Sequence, residues 1–194
     1  MTRLSVSRQT RLSNIAMLAL AVTLLLLAAA PWWAGRAELR LLGEIFLYMS
    51  LATLWNLLAG YAGLVSVGQQ AFVGLGGYML FAATLLWGVH PLMALPLAMV
   101  AGALVSAPVA LLIFRLRGAY FAIGTWVVAE VFRLSFAQLS ALGGGSGISL
   151  APAIVKQLAS GRSAREALLY WLALGLAVLV VGAVFAFLRS RRGV

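Results

Sequence analysis

Six long apolar stretches, separated by short polar or basic breaks, fill most of this chain. A helix needs about 20 predominantly apolar residues to cross the hydrocarbon core of a bilayer, and the stretches approach or exceed that length. Most of them consist mainly of Leu, Ala and Val, which any membrane helix can use. The stretches lie at residues 14–30, 44–61, 63–86, 91–114, 120–139 and 164–188.

This pattern predicts an all-α fold, a polytopic transmembrane helix bundle of about six spans. The third stretch is rich in Gly and only weakly apolar, so we expect a broken helix there, which either spans the membrane or re-enters it. A connection rich in Gly, Ser and Pro follows at 143–161, and the sequence shows no internal repeat and no second domain. Residues 1–194 are therefore interpreted as a single transmembrane domain.

The composition excludes soluble and catalytic classes of protein. Hydrophobic residues make up 64% of the chain and charged residues 9%, whereas a soluble domain carries about 25% charged residues. The chain has no Cys, no Asp and a single His, which leaves too few groups for disulfides, metal sites or acid–base catalysis. His90, beside Pro91, is better explained as an interfacial residue than as a ligand. We therefore expect neither an enzyme nor a bound cofactor.

The net charge of +10 would suggest nucleic acid as the partner of a soluble chain. Here the cations flank apolar stretches, where Lys and Arg control topology, so no nucleic-acid binding is expected. Six spans put both termini on one side, and the excess of cations predicts that this side is the cytoplasm. Because further spans follow the first stretch, an uncleaved signal-anchor is favoured over a signal peptide. The cations on the predicted inner side are Arg3, Arg8, Arg11, Arg115, Arg117, Arg189, Arg191 and Arg192, and those on the outer side are Arg36, Arg40, Lys156, Arg162 and Arg165.

The third stretch carries the strongest candidate site. Six glycines lie between Gly60 and Gly77, together with polar side chains at membrane depth. Glycine weakens a helix and exposes its backbone, which hydrocarbon tolerates only where protein or a water-filled cavity covers it. The segment therefore indicates either a translocation pathway or close helix packing through small residues, and the residue pattern favours neither. The candidate pathway residues are Ser66, Gly68, Gln69, Gln70, Gly74, Gly76, Gly77 and Tyr78.

A second polar feature is the pair Glu130 and Arg133 within the fifth apolar stretch. A spacing of three places both side chains on one helix face, where they can neutralise each other. An unpaired charge at this depth is costly, so the pair is expected to face the bundle interior or an interface. The pair is interpreted as a structural ion pair or surface anchor, with gating or partner contact as the alternative.

Three blocks of sequence resemble the motifs of branched-chain amino acid ABC transporter permeases, and more closely those of the LivM-type subunit than those of its LivH-type partner. The match covers about half of the chain and is specific because the blocks occur in the expected order and spacing. The first block is residues 56–66 with 68–78, the second is 116–125 with Glu130 and Arg133, and the third is Gly143-Gly144-Gly145-Ser146-Gly147-Ile148.

The resemblance implies an importer for leucine, isoleucine and valine in the bacterial plasma (inner) membrane. Such a permease works with a second permease subunit of the LivH type, two cytoplasmic ATPase subunits and a periplasmic or extracellular solute-binding protein. The permease does no chemistry itself, because ATP binds to partner subunits. The resemblance further implies that Gly68–Tyr78 lies near the translocation path and that Gly143–Ile148 lies outside, toward the binding protein.

The sequence departs from the family pattern at a few positions. Gln69 stands where many relatives have His, and Ala119 stands where many have Asp. Family members continue with a cytoplasmic coupling segment and further spans, whereas this chain stops at residues 189–194, where that segment would begin. We therefore expect the amino-terminal portion of a permease. Two alternatives stay open: a permease for urea, short amides or other amino acids, and a truncated membrane scaffold that does not transport.

Overall fold

A computed structural model describes residues 11–144, 149–150, 152–159 and 161–190 of the chain. Within these residues the chain forms seven α-helices and no β-strand, which confirms the predicted all-α polytopic bundle. Short 3₁₀ turns and one π-helical turn complete the regular structure. The helices are α1 (Arg11–Ala28), α2 (Arg36–Asn56), α3 (Gln69–Leu85), α4 (Pro91–Ile113), α5 (Ala119–Ala137), α6 (Pro152–Leu158) and α7 (Arg162–Arg189).

Five of the described helices are long and apolar enough to cross a membrane: α1, α2, α4, α5 and α7. The segment that separates this number from the expected six is α3, which has 17 residues. At about 1.5 Å per residue it is a few ångströms shorter than a hydrocarbon core of about 30 Å. The crossing of the membrane by the third stretch therefore stays a prediction.

Helix α2 begins earlier than the apolar pattern predicts, at Arg36 instead of residue 44. The apolar pattern alone predicts a break at the charged residues of these first turns, whereas in the structure they cap and flank the helix. The backbone N–H of Gly35 donates to the carboxylate of Glu38, which satisfies a donor that would otherwise be unpaired at the helix start. Arg40 and Glu44 form an exposed ion pair one turn further on.

Helices α1, α2 and α7 form one packed group. The buried ring of Tyr170 lies 5.6 Å from that of Phe46, between centroids, and its hydroxyl donates to the carbonyl of Leu27 at 2.6 Å. Gly43 of α2 faces Ala173 of α7, so small residues let the two backbones approach closely. This core contains Ala30, Leu39, Phe46, Tyr170, Ala173 and Ala177.

Helices α3, α4 and α5 form a second packed group, which α6 joins through α4. Helices α3 and α5 are parallel, since Phe72 lies 5.9 Å from Phe132 and Tyr78 lies 4.3 Å from Phe136, so that contacts advance along both helices together. Helix α4 connects the end of α3 to the start of α5 along the chain and runs in the opposite direction to both. The sequence did not predict α6, because its segment was interpreted as part of a Gly/Ser/Pro-rich connection.

Candidate functional site

The candidate site begins where the chain between α2 and α3 loses its helical conformation. Helix α2 continues through a π-helical turn, Leu57–Tyr61, and Gly63 then adopts a φ of +67°, a left-handed conformation that glycine accommodates most easily. Residues 62–68 are irregular until α3 begins at Gln69. The predicted Gly-rich break is therefore present, and it comes before the helix instead of within it.

Two hydrogen bonds fasten this irregular segment to helices on either side of it. The indole N–H of Trp55 in α2 donates to the carbonyl of Ser66 at 2.9 Å. The backbone N–H of Val67 donates to the hydroxyl of Thr125 in α5 at 3.1 Å, and that hydroxyl donates in turn to the carbonyl of Ala122 at 2.8 Å. These bonds satisfy polar backbone groups that hydrocarbon would leave unpaired.

Gly68 packs directly against α5. A Cβ atom at this position would overlap the carbonyl oxygen of Thr125 and lie 3.2 Å from the Thr125 Cβ. Thr125 is six residues beyond the start of α5, or about 9 Å along its axis at 1.5 Å per residue. The irregular segment therefore lies beside the second turn of α5, counted from the start of that helix.

A cleft of about 500 Å³ opens between α3 and α5; we name it the ion-pair cleft. It brings three of the predicted pathway residues, Gln70, Gly74 and Tyr78, into one wall opposite both members of the predicted pair, Glu130 and Arg133. The cleft is lined by Gln70, Ala71, Gly74, Tyr78, Trp126, Ala129, Glu130, Phe132, Arg133, Phe136, Ala137 and Gly144.

The two charged side chains of the cleft form a bidentate ion pair. Arg133 Nε donates to Glu130 Oε2 at 2.9 Å, and Arg133 Nη2 donates to Glu130 Oε1 at 2.5 Å. The Arg133 side chain is 65% exposed and that of Glu130 is 43% exposed. The pair is thus neutral as a unit but lies open to whatever fills the cleft.

Aromatic rings form the apolar wall of the ion-pair cleft. The ring of Tyr78 stacks on Phe136 with 4.3 Å between centroids and 15° between planes, and Phe132 lies 5.8 Å from Phe136. The hydroxyl of Tyr78 donates to the carbonyl of Gly144 at 3.1 Å, so the turn that follows α5 lies over the end of the cleft. Charged and aromatic groups therefore share one cavity.

A second cleft, of about 340 Å³, lies between the irregular segment and helices α4 and α5. It contains Ser66 and Gly68 with the buried side chains of Phe121 and Thr125. We name it the apolar cleft, since most of its lining is aliphatic or aromatic. The predicted pathway residues are consequently divided between two clefts.

The remaining predicted residues lie elsewhere. Gln69 is exposed at the start of α3, and Gly76 and Gly77 line neither cleft. Of the third motif block, Gly143 and Gly144 follow α5, while 145–148 lie outside the described residues. The site also includes residues that were not predicted, namely Thr125, Trp126, Phe132 and Phe136. An aromatic residue in an apolar stretch gives no signal that separates a cavity wall from lipid-facing surface.

His90 takes a structural position at the start of α4. Its Nδ1 accepts from the backbone N–H of Leu92 at 3.3 Å, and its Nε2 lies 3.2 Å from the carbonyl oxygen of Gln157. This arrangement suits the tautomer that carries the proton on Nε2. The imidazole therefore caps one helix and ties it to α6.

Comparison with known proteins identifies the family of the chain. Residues 37–194 match the family described as "Branched-chain amino acid transport system / permease component". The chain is 30% identical over 148 residues to the "High-affinity branched-chain amino acid transport system permease protein LivM" of Escherichia coli (strain K12), which covers 75% of this chain and 35% of that protein. It is 29% identical over 133 residues to the LivM protein of Salmonella typhimurium, which covers 68% of this chain and 31% of that protein.

The chain thus spans about a third of the length of the curated relatives that it matches. No solved structure matches it significantly. The family match includes every element that builds the two clefts and excludes all of α1 and its link to α2. With its long apolar helices, this chain is a multi-pass membrane protein that belongs to the branched-chain amino acid transport permease family.

Proposed function

We propose that this chain is part of a permease subunit of an ATP-driven importer for branched-chain amino acids in the bacterial plasma membrane. The observation that carries the proposal is the ion-pair cleft, which joins the Gly-rich α3 to the charged pair of α5 within the region that matches the family. The chain itself supplies no catalysis. The partners are a second permease subunit, two cytoplasmic ATPase subunits and an external solute-binding protein.

The two clefts are suited to a translocation path because they combine water-compatible groups with apolar walls. Charged side chains within a membrane span face the bundle interior or a water-filled cavity, since exposure to lipid is costly. Irregular backbone at membrane depth follows the same rule, and the segment at 62–68 has it. We assign Ser66, Gly68, Gln70, Gly74 and Tyr78 to the walls of this path.

The proposed orientation puts the amino terminus in the cytoplasm. Helix α1 then leads outward, α2 returns, α3 leads outward again, and the basic turn with Arg115 and Arg117 lies on the cytoplasmic side. In this arrangement the irregular segment at 62–68 is near the inner ends of α3 and α5. The apolar cleft consequently opens nearer to the cytoplasm than the ion-pair cleft.

Uptake of labelled leucine by cells that express the complete protein with its partner subunits tests the function. We expect ATP-dependent uptake that isoleucine and valine inhibit by competition and that disappears when the ATPase subunits are removed. Competition by urea or a short amide, without competition by isoleucine, would favour the alternative substrate class. Unchanged leucine uptake after deletion of this protein alone would indicate a scaffold that does not transport.

A further inference from the structure

We infer that Glu130 and Arg133 form a binding site for the two charged groups of a zwitterionic α-amino acid, with the aromatic wall of the ion-pair cleft receiving an apolar side chain. The inference rests on the proposed function and assigns the substrate to particular atoms. Arg133 would donate to the α-carboxylate of the amino acid, and Glu130 would accept from its α-ammonium group. When the amino acid binds, its carboxylate and ammonium groups join Glu130 and Arg133 in one network of four charges. Each charge in this network has a partner of opposite sign.

The donors and acceptors of the pair are only partly used. A guanidinium carries five N–H donors, and Glu130 engages Nε and Nη2, which leaves further donors on Nη1 and Nη2. Within the described residues no other acceptor contacts this guanidinium. Each carboxylate oxygen of Glu130 accepts one bond from Arg133 and retains capacity for another. A second carboxylate and an ammonium group therefore both find partners here.

The position of the pair on a cavity favours a ligand over a purely structural role. Charged side chains within a membrane span face the bundle interior or a water-filled cavity, and the ion-pair cleft is such a cavity for Glu130 and Arg133. The other ion pair of the described residues, Arg40 with Glu44, is about as far from the start of α2 as this pair is from the end of α5, but it lines neither cleft. The difference between the two pairs is that Glu130 and Arg133 face a cavity.

The shape of the cleft suits an aliphatic amino acid. Its volume of about 500 Å³ is within the range of about 300–1,000 Å³ that is usual for small-molecule sites. Phe132 and Phe136 form an apolar surface beside the pair, and Gly74 faces open space because a Cβ atom there would meet nothing within 4 Å. The charged and apolar halves of a branched-chain amino acid thus have separate surfaces.

The absence of cysteine from the chain allows a direct test by thiol labelling. Gly74→Cys places one thiol in the cleft, and the reagent is a water-soluble maleimide applied to membrane vesicles that contain the complete protein. We expect leucine to slow the labelling, whereas 4-methylpentanoate, which is leucine without the ammonium group, and isoamylamine, which is leucine without the carboxylate, do not. Gly76→Cys is the control, because two residues turn a helix by about 200° and direct this thiol away from the cleft.

Substitutions of the pair in the Gly74→Cys background identify the binding atoms. Losing one charge-assisted hydrogen bond should raise the leucine concentration that gives half protection about ten- to hundredfold for Arg133→Gln and for Glu130→Gln. Arg40→Gln is the matched control, since it breaks the other ion pair and should leave protection unchanged. The double exchange Glu130→Arg with Arg133→Glu retains an ion pair at the same spacing but interchanges the positions of the two charges. It should not restore protection, because each charged group of the ligand would then meet a side chain of its own sign.

The outcomes separate this inference from the proposed function. Equal protection by leucine, 4-methylpentanoate and isoamylamine would overturn the inference, and this comparison needs no variant of the pair. Restoration of protection by the double exchange would assign the pair a structural role. Leucine uptake without any protection at Gly74→Cys would disprove the site and leave the transport function standing. Protection without uptake in the complete system would instead contradict the transport function.

Discussion

At the scale of single residues, the contact between Gly68 and Thr125 determines how closely α3 approaches α5. The Gly68 backbone lies against the carbonyl of Thr125, so no side chain fits between them. The same threonine accepts a hydrogen bond from the neighbouring N–H of Val67 at 3.1 Å. Steric exclusion and hydrogen bonding thus act on adjacent residues of one segment, and together they hold the start of α3 against α5.

We predict that Gly68→Ala destabilises the protein. The added methyl group overlaps backbone, which cannot rotate away as a side chain does, so the start of α3 must shift; overpacking of this kind costs about 1–3 kcal/mol. The thermal unfolding midpoint of the purified protein in detergent should fall. A midpoint equal to that of the unmodified protein would show that α3 is not held against α5 at this position.

Gly76→Ala is the matched control for this prediction. A Cβ atom at Gly76 meets nothing within 4 Å, and alanine is favoured over glycine within a helix by about 1 kcal/mol. The unfolding midpoint should therefore stay constant or rise. A fall as large as that of Gly68→Ala would mean that any side chain in this Gly-rich helix is harmful, and the specific contact with Thr125 would then lose its significance.

The charged and glycine residues that line the ion-pair cleft could be predicted from the sequence more readily than the aromatic residues beside them. A spacing of three places Glu130 and Arg133 on one face, and glycine with polar residues marks the start of α3. That these features share a cavity depends on the parallel packing of α3 against α5, which no local pattern encodes. Thr125 belongs to the second motif block but is not predicted as a site residue, because a threonine in an apolar helix commonly bonds to its own backbone, as its bond to Ala122 does.

At the scale of secondary-structure elements, α1 is attached to the rest of the molecule mainly through its carboxyl end. Tyr170 donates to the carbonyl of Leu27 at 2.6 Å, and the indole of Trp171 donates to the carbonyl of Ala28 at 3.3 Å. The last four carbonyls of a helix have no partner within it, so these two side chains of α7 act as its cap. Most of the described α1 residues before this end are exposed.

We predict that Tyr170→Phe loosens the attachment of α1. The substitution keeps the ring, which is 1% exposed, and removes a hydroxyl whose hydrogen bond is worth about 1 kcal/mol. Limited proteolysis in detergent should cut the link at 29–35 faster. Tyr48→Phe, at a tyrosine of α2 that is 70% exposed, is the control and should leave the cleavage rate unchanged. Equal rates for all three proteins would show that the hydroxyl does not hold α1.

The existence of the long helices could be predicted from the sequence, but some of their limits could not. Apolar length alone located α4, α5 and α7 to within two residues. It missed the first turns of α2, since capping and exposed charges look like a break, and it missed α6, whose Pro152 fits a first helical turn. The third stretch was described correctly as broken, but composition does not show whether the break lies at an end or in the middle.

At the scale of the whole molecule, contacts near the helix ends show which of the connecting segments lie at the same end of the bundle. The His90 ring beside the Gln157 carbonyl joins the start of α4 to α6, and Tyr170 joins the first turns of α7 to the end of α1. The links at 29–35 and 86–90 therefore lie at one end of the bundle. The segment at 62–68 and the turn with Arg117 lie at the other end, beside the start of α5.

We predict that thiol labelling of intact cells distinguishes these two ends. Cysteines at Trp33 and Trp87, whose side chains are exposed, should react with an impermeant reagent from outside, whereas Arg117→Cys should react only after the cells are opened. Trp87 is preferred over Gly88, because a cysteine would be strained at the Gly88 φ of +64°. Protection of Trp87→Cys together with labelling of Trp33→Cys would mean that α3 re-enters without crossing.

The attachment of residues 66 and 67 to opposite neighbours has a mechanical consequence. Ser66 is bonded to α2, which packs with α7, while Val67 is bonded to α5, which packs with α3. The two helix groups are thus joined through adjacent peptide units. A tilt of one group against the other would therefore have to turn about residues 66 and 67 or break one of these two hydrogen bonds.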